Sequence, residues 1–420
     1  MDPGHLAVLR TPEGAAALAA ARDALAAGQT VVALRARGVP PATAAAAFTQ
    51  AELRARAVAK FGDDAHRMFF TRTGMQQATR AVVADRRAAR LRAAGVRTIA
   101  DLGCGIGADA LAFARAGIRV YAVEADPATA AVAEANAQAL GLADLVSVHC
   151  GDATRAPLDD VDAVFCDPAR RSPQGRRVFD PAAFSPPWEF VAELPRRVPR
   201  TVLKLAPGID HALVPPAAEA EWVSVDGEVV EAAFWCGPLA QAPRRASLLR
   251  AGAVTELTGT GERLAPVDRP RAFLYDPDGA VVRAHLVAEF AATVDGMLAD
   301  PMIAYVYADS AAPTPYAHCF QVDEVLAFSV KRLRAALRER GVGRVEIRKR
   351  GSALDPAALR RDLRLAGDGS AIVVLTRVAG APVALLCRPA APGAGPLADP
   401  ASHAPGRALA DPAATSTRLP

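Results

Sequence analysis

Cysteine is scarce in this 420-residue chain: the six residues at 104, 150, 166, 236, 319 and 387 include no C-x-x-C pair. Such a set argues against a disulfide framework or a cysteine zinc site, and it indicates buried thiols in a reducing compartment. Long apolar runs are also lacking, because the alanine-rich stretch at 44–48 is far shorter than the roughly 20 residues that span a bilayer. We therefore expect no metal and no membrane partner.

A large excess of charge of either sign is missing as well. Lys and Arg number 49 and Asp and Glu 45, so the net charge of +4 does not identify a nucleic-acid binder, and any basic surface must be local. Residues 1–5 lack the basic-then-apolar pattern of a secretory leader, and the expected location is the cytoplasm. With 51% hydrophobic and 22% charged residues, global disorder is excluded and two or three domains are expected.

The chain divides into five predicted segments. Residues 1–95 are rich in Ala, Leu and Arg without sustained alternation, which predicts an N-terminal helical region. Residues 96–245 alternate β-rich runs with helical stretches, the pattern of a doubly wound α/β sheet. Residues 246–319 are expected to connect this sheet to a small α/β unit at 320–390, and the Pro-, Ala- and Gly-rich residues 391–420 are expected to be disordered.

The second segment contains seven predicted strands. Two of them, 221–225 and 229–235, flank Asp226-Gly227, a turn pair typical of a hairpin. The other five are expected to be parallel, and they are 98–101, 119–123, 146–149, 163–166 and 201–205. The expected shape is a parallel sheet that ends in an antiparallel hairpin.

A glycine-rich stretch, Gly103-Cys104-Gly105-Ile106-Gly107, stands where the first predicted strand gives way to a helix. Glycines at 103, 105 and 107 let a ligand approach backbone that a Cβ would shield, so we expect a bound ligand there. The pattern fits the dinucleotide motif G-x-G-x-x-A, and Glu124 follows Gly103 by 21 residues, where that fold holds an acid for a ribose hydroxyl. A nicotinamide cofactor is therefore one candidate.

Two features favour a different ligand. Asp101 would face the pyrophosphate of a dinucleotide, an unfavourable encounter of like charges, whereas an ammonium group would be stabilised there. Acidic residues also stand at the ends of four successive predicted strands, where open α/β sheets bind ligands; they are Asp101, Glu124, Asp152 and Asp167. The pair Asp126-Pro127 is instead interpreted as a helix cap, with Asp at N-cap and Pro at N1.

The ordered series DLGCGIGADA (101–110), VEADP (123–127), GDA (151–153) and DPAR (167–170) resembles the motifs of class I S-adenosylmethionine-dependent methyltransferases, over roughly residues 96–240. The resemblance implies a Rossmann-like, seven-stranded fold, a methyltransferase activity and S-adenosylmethionine as cofactor. It implies that Asp101, Gly103 and Gly105 contact the methionine part, that Glu124 binds the ribose and that Asp152 binds the adenine amino group. Gly107 belongs to the same cofactor motif, or serves helix packing alone.

A second resemblance covers about 320–390, where a helix is expected from about Asp323 to Arg340. The run RVEIRKRG (344–351), followed by LRRDL (359–363), is similar to the THUMP-like domain at the carboxyl end of a group of bacterial class I methyltransferases. The segments MFFTRTG (68–74) and FLYDP (273–277) are similar to other parts of that group.

THUMP domains bind RNA in tRNA-modifying enzymes, so this resemblance implies an RNA partner, tRNA or rRNA. Local charge agrees with this implication, because residues 331–365 contain 12 basic and 4 acidic residues, a net charge of +8. Arg170, Arg348, Lys349 and Arg350 are the candidate substrate-binding residues. A solvated basic surface without RNA is the alternative.

The methyl-transfer site is expected at Asp167 and Pro168, whose oxygens suit the amino or imino hydrogens of a base. Family members that act on nitrogen usually carry a proline pair and an aromatic residue here, and Ala169 and Arg170 replace them. Methylation of a pyrimidine C5 would need a nucleophilic cysteine, yet Cys166 is expected to point into the sheet. We therefore predict methylation of a nucleobase nitrogen in RNA. The alternatives are an inactive RNA-binding protein and a methyltransferase that acts on protein or a small molecule.

Two groups of side chains allow more than one interpretation. Phe69 and Phe70 could cover the cofactor or stack a base, or they could pack in the core. Arg171, Arg176 and Arg177 could grip phosphate or be ordinary surface arginines.

Overall fold

A computed structural model of the protein describes residues 3–170 and 184–390. They form two compact units. The first comprises 3–170, 184–249, 254–264 and 279–289. The second comprises 250–253, 265–278 and 290–390. The boundaries predicted at 95, 245, 319 and 390 stay predictions.

The first unit begins with six helices, since Ala, Leu and Arg favour helices and proline or glycine marks most of the breaks. These helices are α1 (Pro3–Leu9), α2 (Pro12–Ala26), α3 (Val32–Ala36), α4 (Pro41–Phe61), α5 (Arg72–Gln77) and α6 (Ala81–Ala93). The predicted N-terminal helical region is therefore confirmed.

Strands and helices then alternate. The strands are β1 (Thr98–Leu102), β2 (Arg119–Glu124), β3 (Val146–Cys150), β4 (Ala163–Cys166), β5 (Ala169–Arg170), β6 (Phe184–Ser185), β7 (Thr201–Leu205), β8 (Glu219–Val225), β9 (Glu228–Trp235), β10 (Arg244–Arg250) and β11 (Ala253–Gly259). The helices among them are α7 (Ala108–Arg115), α8 (Pro127–Ala139) and α9 (Trp188–Arg197). Among the strands of the described residues, β5 and β6 pair with each other alone.

The other nine strands form one sheet in the order β11-β10-β8-β9-β7-β4-β1-β2-β3. Neighbours among β1, β2, β3, β4 and β7 are parallel, and β9 lies antiparallel between β7 and β8. The predicted Rossmann-like sheet is thus confirmed, and β10 and β11 extend it beyond the seven predicted strands. The predicted hairpin turn is present too, because Asp226 and Gly227 both have positive φ, 50° and 85°.

Helix α6 is held to the sheet by arginines that pair with carboxylates of its strands, and all of these carboxylates except that of Glu256 are buried. The shortest ion pairs of these arginines with the sheet join Arg86 to Glu221 and Glu256, Arg87 to Glu231, and Arg90 to Glu219. Glu219 is fully buried and also accepts a hydrogen bond from Arg245 of β10 at 2.7 Å. The helical region and the sheet therefore share a network of buried charges.

The second unit contains a seven-stranded sheet in the order β13-β14-β12-β15-β18-β17-β16. Its strands are β12 (Phe273–Pro277), β13 (Met297–Leu298), β14 (Val306–Ala308), β15 (Ala317–Ala327), β16 (Val342–Lys349), β17 (Gly369–Val378) and β18 (Ala381–Pro389). The other α-helices of the described residues are α10 (Gly279–Arg283), α11 (Val287–Thr293), α12 (Val330–Glu339) and α13 (Pro356–Leu363).

Both faces of this second sheet are apolar, as the alternation along β17 shows. Val373 and Leu375 share a core with α12 and α13, whereas Ile372 and Val374 belong to a core with Phe320 on the other face. The segment 246–319 contributes to both sheets of the protein, because β10 and β11 join the first and β12, β13 and β14 join the second.

The helix predicted from Asp323 begins too early. Residues 323–327 are the end of β15, and α12 starts only at Val330. The two successive acidic residues Asp323 and Glu324 fall at a β-bulge between Val322 and Glu324, which interrupts the strand's alternation. The partner strand β18, which was not predicted from the sequence, follows more than 50 residues later in the chain.

Candidate active site

The glycine loop between β1 and α7 leaves room for a ligand at one position. The backbone N–H groups of Gly103 and Cys104 donate to the Val123 carbonyl at 2.9 and 3.0 Å, which fixes the loop to the end of β2. Gly105 has φ +57°, and a Cβ there would meet no atom within 4 Å. A ligand can therefore reach the backbone at Gly105. A Cβ on Gly107 would contact Ala133 of α8 at 3.6 Å, so this glycine also permits helix packing.

Asp101 lies in β1, directly before this loop, and is fully buried. Neither of its carboxyl oxygens has a hydrogen-bond partner among the described residues. Burial, with further contributions from the charges of Asp109 and Asp167, raises the pKa of Asp101 well above its usual value. A buried carboxyl group without a partner is costly, so a cationic or hydrogen-bonding ligand would stabilise it.

Glu124 ends β2 and turns its carboxylate toward the glycine loop. Its Oε2 accepts a hydrogen bond from the Gly105 N–H at 3.0 Å, and its Oε1 accepts one from the Asp126 N–H at 2.9 Å. The carbonyl oxygen of Glu124 also accepts from the Gly151 N–H at 3.0 Å. The ends of β1, β2 and β3 are therefore joined, and the Glu124 carboxylate keeps lone pairs for hydroxyl donors.

Asp152 follows Gly151 at the same edge of the sheet and is exposed. Its Oδ1 accepts from the Thr154 N–H at 2.9 Å and from the Thr154 hydroxyl at 2.8 Å. These hydrogen bonds lower the pKa of Asp152. The side chain is therefore ionised at neutral pH and oriented before any ligand arrives. The predicted cap is confirmed nearby, because the Asp126 carboxylate accepts from the Thr129 N–H at 3.0 Å with Pro127 at N1.

Asp167 and Pro168 follow β4 and lie next to the glycine loop. A Cβ on Gly103 would come within 3.3 Å of the Asp167 carbonyl oxygen. The carboxylate of Asp167 forms an ion pair with Lys204 of β7, and the Asp167 side chain is 33% exposed. Burial disfavours the Lys204 ammonium, but the charges of Asp167, Asp109 and Glu231 outweigh it and raise the pKa of Lys204. The acidic group is thus held in place and faces solvent in part.

Sequence reasoning missed Lys204 as a functional residue, although a signal existed: it is the one charged residue of the apolar strand Thr201–Leu205. It also missed a buried network behind the site. Asp109 of α7 accepts from Arg87 and, at 2.6 Å, from the Thr79 hydroxyl, and Arg87 also reaches Glu231. These partners are too far apart in the chain for any local pattern to pair them.

Phe69 and Phe70 are both buried, with 6% and 0% exposure, so the packing interpretation applies to both rings. Phe70 packs against Phe61, with ring centroids 5.5 Å apart. The Asn136 side chain donates to the carbonyl oxygens of Phe69 and Ile106, at 3.1 and 2.9 Å. Asn136 therefore links the MFFTRTG segment to the glycine loop.

The other predicted residues lie elsewhere. In the second unit, Arg348 and Arg350 donate to Asp276 at 3.2 and 2.8 Å, and Lys349 donates to the Leu354 carbonyl at 2.7 Å. The Arg170 side chain and the residues Arg171, Arg176 and Arg177 lie outside the described residues.

Within the described ranges, no cluster of three His, Cys, Asp or Glu side chains is arranged to hold a metal ion. None of the described helices has both the length and the apolar content that a membrane crossing requires.

Comparison with known proteins matches three family models to the chain: a methyltransferase domain over residues 99–179, a THUMP domain-like model over 317–389, and a domain of unknown function, DUF8688, over 2–57. A crystal structure from Porphyromonas gingivalis W83, described as a proposed methyltransferase, aligns with 93% of this chain and 99% of its own, with a TM-score of 0.69 and 23% identity. The fold is therefore that of a Rossmann-like methyltransferase.

Two further relatives come from the curated proteins. An uncharacterized S-adenosylmethionine-dependent methyltransferase of Mycobacterium tuberculosis (strain H37Rv) is 39% identical over 353 residues, covering 80% of this chain and 95% of that protein. The 23S rRNA (uracil(1939)-C(5))-methyltransferase RlmD of Acidithiobacillus ferrooxidans is 36% identical over 104 residues, covering 23% of this chain and 24% of that enzyme. The chain belongs to the S-adenosylmethionine-dependent methyltransferases. It is an enzyme, and S-adenosylmethionine is its cofactor.

Proposed function

We propose that this methyltransferase acts on RNA and that the acceptor is a nitrogen atom of a nucleobase. Three observations support an RNA substrate. The THUMP domain-like match covers 317–389, one partial relative is an rRNA methyltransferase, and the positive charge is concentrated in 331–365. THUMP domains proper are RNA-binding modules, and a local basic surface provides sequence-independent contact with phosphates.

The buried carboxyl of Asp101, which has no hydrogen-bond partner within 3–170 and 184–390, carries the cofactor part of the proposal. S-adenosylmethionine supplies an electrophilic methyl group on a sulfonium, and it also carries an ammonium group and a nucleoside. The Asp101 carboxylate would pair with the ammonium, and the backbone around Gly103, Gly105 and Gly107 would lie against the methionine part. Glu124 would accept hydrogen bonds from the ribose hydroxyls, and Asp152 would accept one from the adenine amino group.

The ion pair of Asp167 and Lys204 supports the assignment of the methyl-acceptor site. Methyl transfer requires the acceptor lone pair in line with the bond that breaks, at about 3 to 3.5 Å from the methyl carbon. The partly exposed Asp167 carboxylate can accept the amino hydrogens of a base and so turn its lone pair. Lys204 pairs with that carboxylate and orients it, and buried Pro168 restricts the loop. Asp167 is the proposed catalytic residue with Pro168, and Lys204 is a positioning residue.

The cysteines support nitrogen over carbon as the acceptor. Attack on C5 of a pyrimidine requires a reactive thiolate with access to the base. Cys166 and Cys104 are buried, and desolvation raises the pKa of both thiols well above the usual value. Cys150 is exposed, but it lies at the end of β3, and β1 and β2 separate this strand from β4, which Asp167 follows. A nitrogen acceptor needs no such nucleophile.

The second unit offers exposed cations for phosphate contact. Lys331, Arg332, Arg360 and Arg361 on α12 and α13 are exposed, and they form no ion pair among the described residues. Arg348 and Arg350 also remain proposed RNA contacts, because Asp276 orients both guanidinium groups without using all of their donors. Lys349 between them is exposed.

Transfer of a radioactive methyl group tests the substrate. The full chain is incubated with methyl-tritiated S-adenosylmethionine and RNA from cells that lack the protein. We expect nuclease-sensitive label that appears, after digestion, in one N-methylated nucleoside, and we expect Asp167→Asn to lose it. The matched control is Asp162→Asn at the opposite edge of the sheet, which should retain it. Label in protein or small molecules, or no label although S-adenosylhomocysteine binds, would refute the RNA proposal.

RNA affinity at several salt concentrations tests whether the exposed cations of α12 and α13 bind RNA. Replacing Arg360 and Arg361 together by Gln removes two exposed charges without breaking an ion pair in the described structure. We expect weaker binding and a smaller salt dependence, with the log–log slope reduced by about 0.7 for each phosphate that the variant no longer neutralises. Arg92→Gln, an exposed arginine of α6, should leave the slope unchanged. An unchanged slope in the double variant would show that this surface does not bind RNA.

A further inference from the structure

A cavity of about 750 Å³ lies within the first unit, among α1, α2, α4, the turn at 62–67 and the last turns of α8. Its volume is in the range of about 300–1,000 Å³ that is typical of sites for small organic ligands. Leu9, Leu18 and Leu25 supply apolar lining, and alanines on the facing helices leave the space open. The cavity is therefore suited to an apolar molecular body.

This cavity is separate from the candidate active site. On α8 it touches Ala135, Gln138 and Ala139, near the C-terminal end of the helix. The carboxylates of the active site lie at the other end, before the first helical residue, Pro127. At a rise of about 1.5 Å per residue, the two regions are roughly 12–18 Å apart along the helix. The cavity also includes residues from 2–57, the part of the chain matched by a domain of unknown function.

The charged side chains that line the cavity are four arginines, Arg10, Arg22, Arg54 and Arg67, and the His66 ring lies beside them. No acidic residue is among the described residues that line the cavity. Arg22 pairs with its exposed neighbour Asp23. Arg10 and Arg67 bond only neutral acceptors near the end of α8, the Gln138 side chain and the Ala139 carbonyl. Their positive charges are therefore not balanced by ion pairs in the described structure.

Arg54 is the most deeply placed of these cations. Its Nε donates to the Met68 carbonyl at 2.8 Å, and its guanidinium lies 5.0 Å from the centre of the Phe69 ring. No carboxylate among the described residues pairs with it, and burial lowers its pKa to about 10. An arginine that is desolvated in this way gains a strong, charge-assisted interaction when an anion arrives.

We propose that this cavity binds a small organic anion, a carboxylate or phosphate on an apolar body, with the anionic group at Arg54 and Arg67. An inorganic anion would leave the leucine and alanine lining unused, and a cation would meet like charges. The site is distinct from methyl transfer and does not depend on the RNA proposal.

The probe is 8-anilinonaphthalene-1-sulfonate, which has aromatic rings and one anionic group. Fluorescence titration of the full chain, with S-adenosylhomocysteine saturating the cofactor site, should show one saturable site with a dissociation constant below about 100 µM. Arg54→Gln should weaken binding at least tenfold. The matched control Arg92→Gln should change binding less than twofold. N-phenyl-1-naphthylamine, which lacks the sulfonate, should bind at least tenfold more weakly.

A second variant covers the case that Arg54→Gln does not fold. Ala55 lines the cavity and is exposed, so Ala55→Trp should fill the space without disturbing the core and abolish probe binding. Displacement of the probe by decanoate or by indole-3-acetate would support the proposal and show whether an acyl or an aromatic body fits. The absence of saturable binding, equal binding of the neutral probe, or unchanged binding to Ala55→Trp would overturn it.

Discussion

Asp101→Asn is expected to make the cofactor-free enzyme more stable at neutral pH and to weaken its hold on the cofactor. The carboxyl group is fully buried and has no hydrogen-bond partner in the described part of the chain, and burial raises its pKa well above the usual value. An amide has nearly the same shape and carries no charge. The substitution therefore removes the cost of burying an ionisable group and also removes the proposed partner of the cofactor's ammonium.

The magnitude follows from proton linkage. In the unfolded chain Asp101 loses its proton near pH 4, whereas in the folded chain it retains the proton to higher pH. Between these two pKa values its contribution to stability falls by about 1.4 kcal/mol per pH unit, and above the folded-state pKa the penalty stays constant. The stability difference between variant and wild type should therefore be small at pH 4 and grow as the pH rises.

Asp101→Asn should raise stability at neutral pH but lower the affinity for the cofactor. Loss of one charge-assisted interaction of about 1.5–3 kcal/mol corresponds to roughly 10- to 150-fold weaker binding. Wild-type affinity should also rise with pH up to the folded-state pKa, because the ammonium favours the ionised carboxylate, and the affinity of the variant should not.

Urea denaturation between pH 4 and pH 8, with calorimetry of S-adenosylhomocysteine binding, measures both effects. Asp162→Asn is the control that should leave cofactor affinity unchanged. A variant that is less stable at pH 8 than the wild type, or one that binds with wild-type affinity, would refute the reasoning.

Three further substitutions test other parts of the site and the fold. Glu124→Ala should weaken S-adenosylhomocysteine binding by about 1–3 kcal/mol, because charge-assisted hydrogen bonds to the ribose are removed. A calorimetric dissociation constant within twofold of wild type would contradict the assignment of Glu124 to the ribose. Lys204→Met releases Asp167, so kcat should fall at least tenfold while cofactor affinity stays within threefold; a loss of affinity with unchanged kcat would contradict a positioning role. Glu219→Gln removes a buried negative charge that pairs with Arg90 and with buried Arg245. It should lower the free energy of unfolding by about 3–5 kcal/mol in urea, whereas a change below about 1 kcal/mol would show that the network is not required.

The parallel sheet could be predicted because its signals are local. Each strand at the centre of the sheet is a short apolar run, and the turn at Asp226-Gly227 requires a conformation that few other residue pairs adopt. The acidic residues at the ends of successive strands could be grouped for the same reason, since parallel strands bring their carboxyl ends to one edge.

The remaining features depend on contacts between distant parts of the chain. The pairing of Arg87 with Glu231 joins residues 144 positions apart, and no local pattern specifies it. The bulge in β15 interrupts the alternation that would have marked the strand, and its partner β18 lies beyond two helices. The basic cavity could not be predicted from the sequence either, because Arg10 after α1, Arg22 of α2 and Arg54 of α4 become neighbours only when these helices pack.

Mass spectrometry of nucleosides from cells that lack this protein is the most direct test of RNA methylation. We expect one N-methylated base to disappear from tRNA or rRNA, to return when the wild-type chain is restored, and to stay absent with the Asp167→Asn variant. An identical set of methylated nucleosides in cells with and without the protein would contradict methylation of RNA by this enzyme.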